Sequence, residues 1–225
     1  MQKYNNYKSL YKYIEPLEDM HLDKQYSSRY RISTLYKYLE KYLTITSNQL
    51  SRMIDEINTI STLAGDTGKY PNIDYDVTIY SGDLHFFIIA LEKCYILSSK
   101  LYDALGCKQS STDTKQSTAF INIKKIRNHL EHMNENLADM STMDSKHPNY
   151  SPNSNWFDCT WSGHDLYKIE IITPKNQIYS LSLNKDTLND IISHYDNITN
   201  IINEKFVKPN KELVDKILNK MITTL

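Results

Sequence analysis

The sequence predicts a mainly α-helical protein: a helical bundle with a small antiparallel β-meander inserted before C-terminal helices. Three observations carry that expectation. Through most of the first 140 positions, apolar residues recur at spacings of three and four, the pattern of helices that bury one face. Only 5 Gly and 6 Pro punctuate 225 residues, too few for the many tight turns of an all-β chain. Between about 156 and 183 the apolar period drops to two, as in half-buried strands.

Taken in order, Tyr4, Tyr7, Leu10, Tyr11 and Ile14 mark a short N-terminal helix stopped by Pro16, whose ring cannot continue a helix. Ile32, Leu35, Tyr36, Leu39, Tyr42 and Leu43 form one stripe; Leu50, Met53, Ile54, Ile57 and Ile60 form the next, ending at Gly65. A polar loop with Gly68 and Pro71 follows. Asp83 is expected to cap a long helix with Leu84, Phe87, Ile88, Leu91, Tyr95, Leu101 and Leu105 inward, closed by Gly106. The Ser/Thr-rich stretch Lys108–Thr114 reads as a connector.

The next helix is predicted from about Thr114 to Met140, with Phe120, Ile123, Ile126, Leu130, Met133, Leu137 and Met140 at near-heptad spacing. His147–Asn155 reads as a turn-rich loop. Phe157–Trp161, Tyr167–Thr173 and Ile178–Leu183 alternate like strands, joined at Ser162-Gly163 and Pro174-Lys175-Asn176. Helices over Lys185–Phe206 and Asn210–Met221 complete the chain. The expected organisation is a single domain over 1–225, with a helical core at 28–140, the meander at 156–183 and C-terminal helices at 185–222. A meander this small needs the helices to pack on.

Composition narrows the function. Lys plus Arg number 26 against 27 for Asp plus Glu, a net charge of −1. That balance gives no extended electrostatic footprint for nucleic acid, so any RNA contact has to be local. Cys94, Cys107 and Cys159 stand apart with no CxxC pair, as incidental thiols of a reducing compartment do. The longest apolar run, Phe86 to Leu91, is far too short to span a bilayer. The N-terminal stretch MQKYNNYKSLYKYIE is polar and lacks a signal-peptide core. The expected setting is cytoplasmic, without a membrane partner.

Rare chemistry is concentrated at Arg127-Asn128-His129-Leu130-Glu131-His132. The chain has four arginines and 7 histidines; here an arginine, a polar residue and two histidines share less than two helical turns. A guanidinium grips phosphate with fixed N–H pairs, and a histidine exchanges protons near neutral pH. Leu130 points to the core, His132 lies roughly 160° away from it, and Arg127 sits at the edge of the stripe, about 60° from Leu130. Arg127 and Glu131, four apart, can pair on the helix surface. Both Arg127 and His132 lie off the stripe, so their substitution is expected to leave the fold intact.

These residues resemble the motif of the HEPN superfamily, helical proteins that include many prokaryotic toxin and defence ribonucleases. Its signature is an arginine, four to six residues, then a histidine, often with Asn, Asp or His directly after the arginine; Arg127, Asn128 and His132 match it. The specific resemblance covers six residues. The architectural likeness covers residues 28–140, with the meander and the C-terminal helices as additions. It implies a helical bundle and metal-independent RNA cleavage with no cofactor. His132 would assist attack of the ribose 2′-hydroxyl, Arg127 would stabilise the phosphorane charge, and Asn128 would orient the phosphate or His132. It also implies a site completed across a symmetric homodimer, and a nucleotidyltransferase-type antitoxin as a possible partner. Many HEPN domains only bind, so the alternative is a non-catalytic RNA- or nucleotide-binding or protein-interaction module.

Lys124 and Lys125 form a small basic patch beside the motif and are assigned, with His129, to substrate binding. His129 and His132 with Glu131 and Glu135 suggest part of a metal site, but no ExxH partner or matching acidic pair occurs on another helix. Trp156 and Trp161 suit base stacking or packing within the meander. No P-loop, dinucleotide loop or nucleophile elbow is present.

Overall fold

The computed structural model describes residues 26–67, 73–131, 168–172, 178–212, 215, 216 and 219. Outside them fall the N-terminal helix expected over 4–14, the loop at Gly68 and Pro71, and the motif helix beyond Glu131 with His132. The 147–155 loop, Trp156, the 157–161 strand with Cys159 and Trp161, and the turns of the meander also fall outside, as does most of the last helix. The described residues are mainly helical, as the periodicity predicts.

The two stripes at the start belong to one continuous helix, α1 (Tyr26–Thr67, 42 residues). The Thr-Ile-Thr-Ser stretch at 44–47 looks like a break in the apolar pattern. Thr46 is nevertheless fully buried between Leu43 and Leu50, its hydroxyl donating to the Tyr42 carbonyl at 2.7 Å. A satisfied hydroxyl substitutes for an apolar side chain there, so Leu39, Leu43, Thr46, Leu50, Met53 and Ile57 make one heptad-spaced seam.

Helix α2 (Ile73–Ala104) begins ten residues before the expected cap. Asp83 is therefore inside the helix rather than at its end, and it is buried. Its carboxylate accepts from Arg52 Nη2 at 2.9 and 2.6 Å and from Gln49 Nε2 at 2.6 Å. A partner on α1, not an orphan helix terminus, holds this acid. Gly106 closes α2 as predicted. Its φ of +78° is left-handed, and the N–H groups of Gly106 and Cys107 return to the carbonyls of Asp103 and Tyr102 at 3.1 and 2.8 Å. This is the paired closure that favours glycine just past a helix end.

The supposed connector is instead a helix, α3 (Lys108–Gln116). Its polar side chains close within the helix: Thr112 and Thr114 donate to Lys108 and Ser110 carbonyls, and Gln109 donates to Asp113. Ser111 and Thr114 are buried, and Ser111 shares a 3.0 Å hydrogen bond with Ser99. Helix α4 (Thr118–Glu131) starts afresh after Ser117, whose hydroxyl accepts the Phe120 N–H at 3.2 Å as an N-cap.

Strands β1 (Lys168–Ile172) and β2 (Ile178–Ser182) pair antiparallel, with Ile169 opposite Leu181 and Ile171 opposite Tyr179. Ile169 and Leu181 are buried, while Ile178 on the other face is exposed. Asn184 caps the following 3₁₀ turn (Lys185–Leu188), which leads into α5 (Asn189–Ile202). The expected break between the two C-terminal helices is replaced by a wide turn, in which Lys208 N–H reaches the Asn203 carbonyl, and a 3₁₀ turn with Pro209 near its start. Proline has no N–H to donate, so an altered hydrogen-bond ladder here relieves the helix of a missing donor.

The described residues fall into two compact units, to which α1 and α2 both contribute: those within 26–41, 96–114 and from 191 onward, and those within 42–95 and 115–190. In the first, Ile32, Tyr36, Leu39, Leu101, Ile198 and Ile202 are buried. A polar chain crosses it: Tyr195 donates to Glu40 at 2.7 Å, and Tyr36 shares hydrogen bonds with Tyr195 at 2.5 Å and Thr199 at 2.9 Å. Burial pushes the Tyr195 phenol well above its ordinary value, and pushes Glu40 up against the opposing effect of the Tyr195 bond. In the second, Leu50, Met53, Phe87, Leu91, Ile123, Ile126, Ile169 and Leu183 are buried. Tyr95 stacks on Phe120 at 5.6 Å and donates to Asp190 at 2.7 Å. Burial also pushes the Cys94 thiol up to about 12, as expected of an inert core cysteine. No helix among the described residues is long and apolar enough to cross a membrane.

Candidate functional site

Helix α4 presents the motif. Ile123 and Ile126 are buried and fix its inward direction. At about 100° per residue, Ile121, Lys124, Lys125 and Asn128 then share the outward face and Arg127 lies on the flank. Lys124 and Lys125 are exposed, and Arg127 and Asn128 are half-buried. Leu130, expected in the core, is also only half-buried. His129 belongs to α4; its side chain and the whole of His132 fall outside the described residues.

Among the described residues, three neighbours grip Arg127. Nε donates to Glu92 Oε2 at 3.1 Å, Nη1 donates to Asn128 Oδ1 at 2.8 Å, and Nη1 also meets Glu131 Oε2 at 2.6 Å. The Glu131 pair is the one the spacing predicts. Glu92, on α2, has a side chain only 5% exposed, whereas those of Arg127 and Glu131 are 28% and 36% exposed. The place of Arg127 off the apolar stripe predicts that it can be substituted with the fold intact, whereas its ion pair with Glu92 predicts a cost. Its guanidinium neutralises a buried carboxylate, and an unpaired buried charge is expensive.

Glu92 was legible as a warning. It falls one residue after Leu91 and three before Tyr95, inside the apolar face of α2. An acid at such a position needs a cation, and sequence spacing cannot say which of the basic residues supplies it. Tyr179 was likewise not foreseen at the site: the Lys125 ammonium lies 5.8 Å from its ring centre, within cation–π reach. Behind that pair, Asn122 Nδ2 donates to the Ser180 carbonyl at 2.9 Å and ties α4 to β2.

The arrangement suits anion binding at the flank and outer face of α4. The Arg127 side chain is 28% exposed, so its guanidinium is within reach of a dissolved anion. Lys124 and Lys125 add positive charge on the adjoining face. No cluster of three or more His, Cys, Asp or Glu among the described residues is placed to hold a metal ion. Set against protein-family models, curated proteins and solved structures, the chain matches none.

Proposed function

We propose that the protein is a metal-independent endoribonuclease of toxin or phage-defence type, similar to HEPN ribonucleases. The observation that carries this reading is the Arg127–Asn128 pair, with the guanidinium held by Glu92 at the edge of an outward polar face. In this reading an RNA phosphodiester docks on Arg127, with Lys124, Lys125 and His129 supporting the neighbouring backbone. His132 removes the proton from the ribose 2′-hydroxyl, the 2′-oxygen attacks phosphorus, and the bond to the 5′-oxygen breaks as that oxygen takes up a proton, leaving a 2′,3′-cyclic phosphate and a 5′-hydroxyl. Arg127 offsets the charge that builds on the phosphorane oxygens, and Asn128 orients the phosphate or His132. The site is completed across a homodimer, and a nucleotidyltransferase-type antitoxin is the partner proposed to restrain it.

The test is RNA cleavage by the purified chain in EDTA, alongside the variants His132→Ala and Arg127→Lys. Arg127→Lys keeps a cation beside Glu92 while losing the guanidinium fork. Both variants should lose cleavage while retaining the wild-type circular dichroism spectrum. An intact RNA pool after prolonged incubation with wild type would reject catalysis.

One observation favours a second reading. Two carboxylates neutralise Arg127, as in a structural ion-pair cluster. A non-catalytic HEPN-like module that binds RNA, a nucleotide or a protein would bind its ligand without turning RNA over.

A further inference from the structure

We propose that the Nη1 corner of Arg127 is an anion subsite which Glu131 fills as an internal stand-in, and which a phosphodiester enters by displacing that carboxylate. The inference rests on the RNA-binding reading of the motif and identifies the residue that competes with substrate there. Arg127 faces two carboxylates of very different character. Glu92 is almost wholly buried and comes from α2. Breaking a buried pair of that kind shifts an equilibrium by roughly a hundredfold or more, so Glu92 stays. Glu131 is the more exposed partner and sits one turn along the same helix. An exposed i,i+4 pair shifts equilibria by only about twofold, so its side chain can rotate into solvent with no backbone movement.

Asn128 keeps the guanidinium in place during the exchange, because its Oδ1 accepts the other Nη1 proton at 2.8 Å. A phosphodiester carries one negative charge, as the carboxylate does. The exchange therefore leaves the charge in direct contact with Arg127 Nη1 unchanged, with the displaced carboxylate solvated one turn away. Glu131 is thus an affinity-setting residue: it weakens binding of any anion that cannot outcompete an intramolecular carboxylate.

The experiment is fluorescence anisotropy of a labelled single-stranded 2′-O-methyl RNA oligonucleotide, which lacks the attacking hydroxyl, with the full chain at low salt. Glu131→Gln should bind about twofold more tightly than wild type, the gain shrinking as salt screens it. Adding Arg127→Lys to that variant should erase the gain. If wild type binds through Arg127 but Glu131→Gln binds equally or more weakly, the subsite is refuted and the RNA reading stands. If neither protein binds the oligonucleotide, both are refuted.

Discussion

Removing Arg127 should unfold the protein more readily than its place on the helix surface suggests. The Arg127→Ala variant leaves the Glu92 carboxylate, 5% exposed, without the Nε donor now 3.1 Å away. Breaking a fully buried ion pair costs about 3–5 kcal/mol. Arg127 is itself 28% exposed, so water reaches the vacated position and the cost falls to roughly 2–4 kcal/mol. Glu131→Ala removes only an exposed i,i+4 pair and should cost about 0.3–0.5 kcal/mol. Combining Arg127→Ala with Glu92→Gln removes the stranded charge and should recover at least ~1 kcal/mol of the single-variant loss. Urea unfolding followed by circular dichroism, with the slope of the transition unchanged, reads all three. A cost for Arg127→Ala below about 1 kcal/mol, no larger than for Glu131→Ala, would show that Glu92 is solvated and that its ion pair contributes nothing to the fold.

Two further outcomes follow from burial. Ile126→Ala, at a fully buried position, should cost about 2–5 kcal/mol, while Leu130→Ala, at a half-buried one, should cost about half as much; equal urea midpoints would contradict the packing of α4. Glu40 has its native carboxyl raised above the ordinary 4.5, mainly by burial. Between the ordinary and raised values the native state binds more protons than the unfolded chain, so stability should fall as pH rises through that window and be highest below it. Glu40→Gln should flatten this slope in thermal melts run from acid to neutral pH, and an unchanged slope would refute the role of Glu40.

Much of the helical layout is legible from one-dimensional periodicity, because a helix exposes its buried face every three or four residues. Gly106, at a position that needs a left-handed backbone, marks the end of α2 for the same local reason. The strands at 168–172 and 178–182 follow from alternation and their intervening turn residues. What periodicity misread were polar residues at buried positions. Thr46 falls between two apolar stripes, Lys108–Thr114 reads as a connector, and Asp83 reads as a cap.

At the site, the Arg127–Glu131 pair is a local consequence of helical spacing, and the resemblance of Arg127, Asn128 and His132 to a ribonuclease motif is visible in six consecutive residues. Glu92 is 35 positions from Arg127, and only the packing of α2 against α4 chooses it. Local sequence determined which residues share a turn. Tertiary structure decided which buried acid meets which cation, because burying a charge is tolerable only where the fold brings its counter-charge within hydrogen-bonding distance.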